Sequence, residues 1–245
     1  MAAQVTPQTS SSHECSPVAL ITGAGSGIGR AITVALAGAG MRVALVGRRD
    51  EALRETSRLC IGGGLCIAAD VAAPGRMRSA VDEVCRTFGR LDVLVNNAGV
   101  AINAPIAGHD EASVRDTFGV NASAPAIAIA AAWPVFERQR CGCVINISSM
   151  ASVDPFPGFF AYAASKAALN MLTRIAADEG KSIGVRAFAI CPGAVETPML
   201  RSLFDTRQVP AAMAADPSQV AALALACVRG EHDDAIGEQL FLPSP

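Results

Sequence analysis

The chain has 245 residues, of which 51% are apolar and only 17% charged, with a formal net charge of −2. A chain of this length buries a substantial core, and the composition excludes a disordered protein. The near-neutral balance gives no support for a nucleic-acid groove or an anionic membrane surface, and no uninterrupted apolar run approaches the roughly 18–20 residues of a spanning helix.

Met1 to Ser16 is rich in Ser, Thr and Gln and lacks the basic start and apolar centre of a signal peptide, so it reads as a flexible, solvated tail over 1–16. Val18–Ile21 is an apolar strand that runs into Thr22–Gly29, a stretch reading T-G-A-G-S-G-I-G. Ile28–Ala39 has helical spacing at Ile32, Leu36 and Ala39, with Gly40 as a stop. Val43–Val46 is a second strand closed by Gly47, Arg48 and Arg49, and Asp50 is placed to cap a helix over 50–59. Leu65–Ala69 is a third strand, ending at Asp70. Pro74–Phe88 is an amphipathic helix stopped by Gly89, and Leu91–Val95 is a fourth strand ending in N-N-A-G at 96–99. Glu111–Arg138 has the composition of a long helix that Pro125 and Pro134 should kink or segment. Val144–Ile147 leads to Ser148 and Ser149, Ala161–Asp178 is helical, and Val185–Ile190 is a sixth apolar run closed by Cys191, Pro192 and Gly193.

Short apolar runs without polar alternation, separated by helices, require a parallel sheet covered on both faces. No composition shift interrupts the pattern, so a single α/β domain is expected over 17–245, followed from the tail without a linker. The eight cysteines show no zinc or redox spacing, since only Cys141 and Cys143 are close and a single residue separates them. They read as reduced packing residues of a cytoplasmic protein, and no metal site is expected. Matches to the N-glycosylation pattern at Asn121 and Asn146 carry no weight without a secretory route.

A strand that ends in closely spaced glycines and turns into a helix lets backbone amides approach a phosphate at the helix N-terminus. No Lys-Ser or Lys-Thr follows the last glycine, which excludes a P-loop, and the glycines at 23, 25, 27 and 29 do not fit the common dinucleotide spacing. Tyr162, the only tyrosine, and Lys166 stand four residues apart on a predicted helix and so project from one face. Ser149 ends a strand thirteen residues before Tyr162, and strand ends are where doubly wound sheets hold ligands.

With these residues the chain resembles the classical short-chain dehydrogenases/reductases from about Val18 to Leu242. The matching motifs are T-G-A-G-S-G-I-G at 22–29, Asp70-Val71, N-N-A-G at 96–99, Asn121, Ser149, Y-A-A-S-K at 162–166, and Pro192-Gly193 with Thr197. The resemblance implies a Rossmann-type doubly wound parallel sheet of about seven strands with helices on both faces. It implies Tyr162 as acid/base, Lys166 as its electrostatic helper and a ribose ligand, Ser149 as hydrogen-bond donor to the substrate oxygen, and Asn121 as holder of a water linking Lys166 to a proton relay. A phenol with an ordinary pKa of about 10 is a reluctant acid/base at neutral pH. A lysine ammonium roughly 4 Å away at an effective dielectric near 20 would favour the phenolate by up to about 4 kcal/mol, or about 3 pKa units.

In the glycine stretch, Thr22, Gly23, Ser26, Gly27, Ile28 and Gly29 are expected around the cofactor: Gly23 permits the turn, Gly27 admits the pyrophosphate, Gly29 lets the helix pack, and Ser26 and Arg30 lie near the phosphates. By resemblance Asp70 and Val71 meet the adenine, Asn97, Ala98 and Gly99 the adenosine side, and Thr197 the nicotinamide carboxamide, with Pro192, Gly193 and Val195 also at the cofactor. An NAD-preferring relative would place a carboxylate after the second strand; Arg48 and Arg49 stand there instead, and a guanidinium binds a 2′-phosphate bidentately. NADP(H) is therefore expected in preference to NAD(H).

The segment 194–210 corresponds to the family's mobile lid. Met199, Leu200, Leu203 and Phe204, together with Phe156, Phe159 and Phe160, suggest an apolar pocket for a ketone, a secondary alcohol or an acyl chain. Arg201 and Arg207 are either anion ligands or solvated lid residues. The resemblance implies a homodimer through the helices near 111–138 and 161–178, or a homotetramer. The closing G-E-Q-L-F-L-P-S-P at 237–245 departs from the family's usual G-x-x-x-x-x-D-G-G, which puts the tetramer in doubt. The expected activity is a carbonyl reductase or alcohol dehydrogenase. Its competitors are a sugar-nucleotide epimerase or dehydratase, which usually needs a longer C-terminal substrate domain, and a redox-sensing regulator that binds nucleotide without turnover, for which a proton donor has no use.

Overall fold

The computed structural model describes residues 16–244; the expected tail, apart from Ser16, lies outside them, as does Cys15. Each apolar run becomes a strand: β1 Val18–Thr22, β2 Arg42–Gly47, β3 Leu65–Ala68, β4 Val93–Asn96, β5 Gly142–Ile147 and β6 Val185–Pro192. A seventh, β7 Gln239–Leu242, forms within the C-terminal stretch, where the sequence pattern places no strand. The spatial order is β3-β2-β1-β4-β5-β6-β7, and every neighbouring pair is parallel. The helices are α1 Gly27–Gly38, α2 Asp50–Leu59, α3 Arg76–Phe88, α4 Glu111–Phe118, α5 Ala124–Gln139, α6 Phe160–Gly180, α7 Pro198–Leu203 and α8 Pro217–Arg229.

Strand side chains alternate between two apolar layers, which is why these strands show no polar alternation. From β1, Val18 and Leu20 pack with Met77 and Val81 of α3 and Ala128 and Phe136 of α5. Ala19 and Ile21 pack on the other face with Ile32 and Leu36 of α1 and Val220 and Ala224 of α8. Phe136 is fully buried, so truncating it to Ala would cost about 3–5 kcal/mol.

Several boundaries differ from the sequence expectation for local reasons. Asp50 is the first residue of α2 and not its cap; Arg49 takes the flanking position, and the Asp50 carboxylate turns to Arg54 at 2.6 Å. Helix α3 starts after Gly75, which takes a left-handed φ of 76° and separates Pro74 from the helix. The long helix divides through a π-helical turn at Gly119–Ser123, just ahead of Pro125. Pro125 then sits in the first turn of α5, where its missing N–H costs nothing, while Pro134 lies inside α5 without ending it. The run Glu111–Gln139 has the length and apolar composition of a membrane-crossing helix, but Ala124, Ala128, Ala132 and Phe136 place one side of it in the core against the sheet.

Buried polar side chains fix the strand ends beneath the site. Asn96 at the end of β4 donates to Asn146 of β5 at 2.8 Å, and Asn146 donates to Thr173 of α6 at 2.7 Å. This ladder sets the height of α6, and with it the helix turn that carries Tyr162 and Lys166.

Candidate active site

Loops leaving the carboxyl ends of β1 to β6 border one cavity of about 930 Å3. It lies over the switch between β1 and β4, where successive strands run outward in opposite directions and the loops diverge. Of the expected residues, Gly23, Ser26, Gly27, Ile28, Arg48, Arg49, Asp70, Val71, Asn97, Ala98, Gly99, Ser149, Tyr162, Lys166, Pro192, Gly193, Val195 and Thr197 line it. Thr22, Gly29 and Asn121 do not; each acts behind the wall.

Thr22 is buried, and its hydroxyl accepts from the amides of Asn97 and Ala98, both at 3.0 Å, and donates to the Val95 carbonyl at 3.3 Å. It therefore clamps the β1 loop to the β4 loop. Gly29 lies where a Cβ would collide with the Gly23 carbonyl oxygen and the Asn97 amide, so only glycine lets α1 pack this closely. Gly23 and Gly27 adopt left-handed φ values of 67° and 50°. A Cβ on Gly27 would also stand 3.0 Å from Thr197 Cγ2, at the base of the lid.

The result is a helix N-terminus facing the cavity. Ser26 occupies the N-cap of α1 in an extended conformation, and its hydroxyl makes no capping bond. Arg30, expected near the phosphates, points elsewhere: it donates to Gly25 O at 2.7 Å and Thr56 Oγ1 at 3.0 Å and pairs with Glu55 at 3.1 Å. Arg48 and Arg49 are exposed at the cavity edge, and their guanidiniums have neither an ion pair nor a hydrogen bond among the described residues; Asp50, next in sequence, is taken by Arg54. Asp70 closes a local turn by accepting from the Ala72 amide at 3.0 Å.

At the opposite wall, Ser149 leaves β5 as the cap of a short 3-10 turn, its hydroxyl accepting from the Ala151 amide at 3.2 Å. Ser152 donates to the Ser149 carbonyl at 2.6 Å and accepts from Asn170 at 2.8 Å, so Ser152 and Asn170, which the sequence motifs do not mark, hold the serine turn against α6. Lys166 is buried and donates to the Ile147 carbonyl at 2.7 Å; its Nζ stands 5.8 Å from the centroid of the Tyr162 ring. Asn121, presented by the π turn, exchanges hydrogen bonds with Val100 at 2.9 Å in both directions and donates to Ser165 at 3.0 Å. A Cβ on Gly99 would lie 3.4 Å from Asn121 Oδ1 and 3.6 Å from Lys166 Nζ, so both groups border that glycine.

The electrostatics run against the sequence expectation for Tyr162. Burial pushes its phenol up from the usual value, with the Ser149 hydroxyl opposing the rise, and burial pulls the Lys166 amine down to about 8. The Lys166 ammonium is directed at the Ile147 carbonyl. A protonated phenol is the form able to donate to a carbonyl oxygen.

The lid side is apolar. Phe156, Phe159, Met199, Leu200, Leu203 and Phe204 line the cavity, with Phe159 against Tyr162 at 5.6 Å, Phe156 at 4.7 Å and Phe204 at 6.1 Å between ring centroids. Phe160 is exposed and faces His109 instead. Arg201 forks onto Glu196 and also donates to the Val209 carbonyl at 2.8 Å, while Arg207 pairs with Asp205 at 2.7 Å, so both guanidiniums are committed within the lid. Asp154, Pro243 and Ser244 are further lining residues that no motif signals. Ser244 accepts from the Ala194 amide at 2.7 Å, and the Gly193 amide donates to Leu242 at 2.9 Å, so β7 and the residues after it brace the start of the lid. The cysteines differ in setting: Cys60, Cys143, Cys191 and Cys227 are buried free thiols, whereas Cys141 is exposed.

Comparison with known proteins agrees with this architecture. The model of the family described as short chain dehydrogenase matches residues 17–208. A 2-(R)-hydroxypropyl-CoM dehydrogenase of Xanthobacter autotrophicus is 37% identical over 78% of this chain and 79% of its own. A 3-ketoacyl-(acyl-carrier-protein) reductase from Brucella melitensis, solved in complex with NADH, superposes with a TM-score of 0.86 at 25% identity, covering 92% of this chain and 96% of that one. A structure from Beutenbergia cavernae, with the working description of an NAD(P)-dependent gluconate 5-dehydrogenase and NADP bound at low occupancy, gives 0.85 at 32% identity over 93% and 95%. The chain belongs to the short-chain dehydrogenase family and is an oxidoreductase of that family.

Proposed function

We propose that the protein is an NADP(H)-dependent carbonyl reductase or secondary-alcohol dehydrogenase. The observation that carries this reading is the meeting of two features in one cavity: Ser149, Tyr162 and Lys166 on one wall, and the open N-terminus of α1 with unpaired Arg48 and Arg49 on the other. The Gly23–Gly27 turn, the uncapped Ser26 and the two guanidiniums fit a dinucleotide with a 2′-phosphate. Val71 and Asp70 would flank its adenine, Asn97, Ala98 and Gly99 its adenosine side, and Pro192, Gly193, Val195 and Thr197 its nicotinamide end. When bound, that cofactor supplies or accepts the hydride.

The protein's own residues then handle the substrate oxygen. Ser149 orients it by a hydrogen bond, and Tyr162, protonated at neutral pH, gives it a proton in the reducing direction. Lys166 stabilises the phenolate left behind and reaches the cofactor ribose. Asn121, which shares the border of Gly99 with Lys166, holds the water that returns a proton. Phe156, Phe159, Leu203 and Phe204 exclude solvent from the reacting carbon.

Ile129 and Trp133 of α5 and Leu172 and Ile175 of α6 line a second groove between these helices, and Ile127 and Met171 are also exposed on them; we assign that face to a homodimer, and a homotetramer would need the β7 edge as well. Free thiols at all seven described cysteines suit a reducing cytoplasmic compartment. Nicotinamide absorbance followed against a panel of ketones and alcohols tests the activity. Turnover that disappears in Tyr162→Phe is expected. Nucleotide binding without turnover on any substrate would point instead to a redox sensor, and turnover that persists in Tyr162→Phe would refute the mechanism.

A further inference from the structure

The substrate end of the cavity has an uneven charge inventory. Asp154 follows the serine turn, its amide donating to the Met150 carbonyl at 2.9 Å, and in the chain it falls between Ser149 and the lining residues Phe156 and Phe159. Asp154 lines the cavity, and its exposed carboxylate has no hydrogen bond or ion pair among the described residues. The other charged lining residues are Arg48, Arg49 and Asp70, which leave β2 and β3 at the adenosine end, and Lys166, which is buried and donates to Ile147. The lid arginines offer nothing in compensation, because Arg201 is closed on Glu196 and Arg207 on Asp205. An incoming substrate therefore meets an apolar mouth with one unneutralised negative group and no available positive one.

We propose that Asp154 is a specificity-determining residue, and that the site takes apolar carbonyl or alcohol substrates that are cationic or neutral while rejecting anionic ones. This rests on the oxidoreductase reading above and deepens it by naming the charge class of the substrate. The physical basis is like-charge repulsion: a carboxylate, sulfonate or phosphate on the substrate would stand beside a carboxylate, without a guanidinium to pair with. A cationic group in the same place gains a partner. Because Asp154 is exposed, solvent limits the contrast to about tenfold between matched cation and anion.

The test uses the full chain saturated with NADP+ and two sets of probes. Calorimetry measures binding of a phenylalkyl chain ending in trimethylammonium, hydroxyl or sulfonate. Turnover is measured with NADPH on phenyl ketones bearing a trimethylammonium, methyl or sulfonate substituent. The cation should bind about tenfold more tightly than the anion at low ionic strength, with the ratio narrowing as salt is raised. Asp154→Asn should bring the ratio towards unity, and Asp154→Lys should invert it; neither removes a contact that holds the fold. Equal or tighter binding of the anion, a ratio unchanged in Asp154→Asn, or no binding of any probe overturns the assignment. If the neutral ketone is reduced without a charge ratio, the charge assignment fails and the reductase reading stands. If the calorimetric ratio holds while no ketone is reduced, the reductase reading fails and the charge assignment stands.

Discussion

At the adenosine end of the cavity, the side chains of Ser26, Arg48 and Arg49 have no partner among the described residues, whereas at the lid Arg201 and Arg207 are each closed on a nearby carboxylate. The two regions have similar residue types and opposite states of satisfaction. A guanidinium that the fold has already paired is a structural clamp; one left at a cavity edge beside a helix N-terminus is available to a ligand. The reaction wall is a third case. Lys166 donates to the Ile147 carbonyl at the end of β5, and Asn121 bonds the backbone of Val100 and the Ser165 hydroxyl, so engagement there means positioning.

The largest expected effect comes from the group that touches the substrate. Tyr162→Phe should lower kcat/KM about 10^3-fold, as loss of a general acid does, with the nucleotide dissociation constant little changed by titration. Comparable loss of nucleotide binding would mean that the two walls are not separable.

Lys166 gives the next effect, and it is pH-dependent. Its amine is held down to about 8 in the folded protein against 10.5 for an ordinary lysine. A depressed lysine is the converse of a paired one: above its folded pKa the native state has lost a proton that the unfolded chain keeps. Stability from this group therefore rises with pH between about 8 and 10.5, by about 3 kcal/mol, and is flat below. Urea unfolding of wild type and Lys166→Met at about pH 7 and about pH 10, without nucleotide, isolates it, because other titrations cancel in the difference. A difference that does not move with pH would show that burial does not govern this lysine.

Asn121→Leu strands the amide and carbonyl of Val100 in a partly buried site and should cost about 1–2 kcal/mol of unfolding free energy. Equal stability of wild type and variant would remove Asn121 from the positioning role. The smallest effect is at the adenosine end. Arg48→Ala should weaken NADPH about tenfold and leave NADH unchanged, since only the 2′-phosphate loses a charge-assisted bond. Tighter NADH binding by wild type, unmoved by Arg48→Ala, would erase the contrast between the two groups of arginines.

The sheet was legible because its strands are buried on both faces and so appear as continuous apolar runs; β7 was not, because it is an edge strand with half-exposed side chains. The π turn at Gly119–Ser123 follows from packing around Asn121 and Pro125 and leaves no periodic trace. The family motifs placed most of the cavity lining by number. They could not separate Thr22 and Gly29, which shape the wall from behind, from Ser26, which faces the cavity, because a motif records spacing and not which way a side chain is spent. Arg30 and Arg201 illustrate the same limit: their partners Glu55 and Glu196 are set by how α2 and the lid fold back. Asp154 and Ser244 lie in segments whose composition signals only a loop and an end.

The central claim is that this cavity moves a hydride between a 2′-phosphorylated nicotinamide cofactor and a carbon whose oxygen is protonated by Tyr162. The direct test supplies NADPH deuterated at the transferring carbon of its nicotinamide together with a neutral aryl ketone, and reads the alcohol product by mass spectrometry. Deuterium on the carbinol carbon with the wild-type protein, and no labelled alcohol with Tyr162→Phe, is the predicted result. Label retained in the nucleotide across the ketone panel, or equal labelled alcohol from the Tyr162→Phe variant, would contradict it.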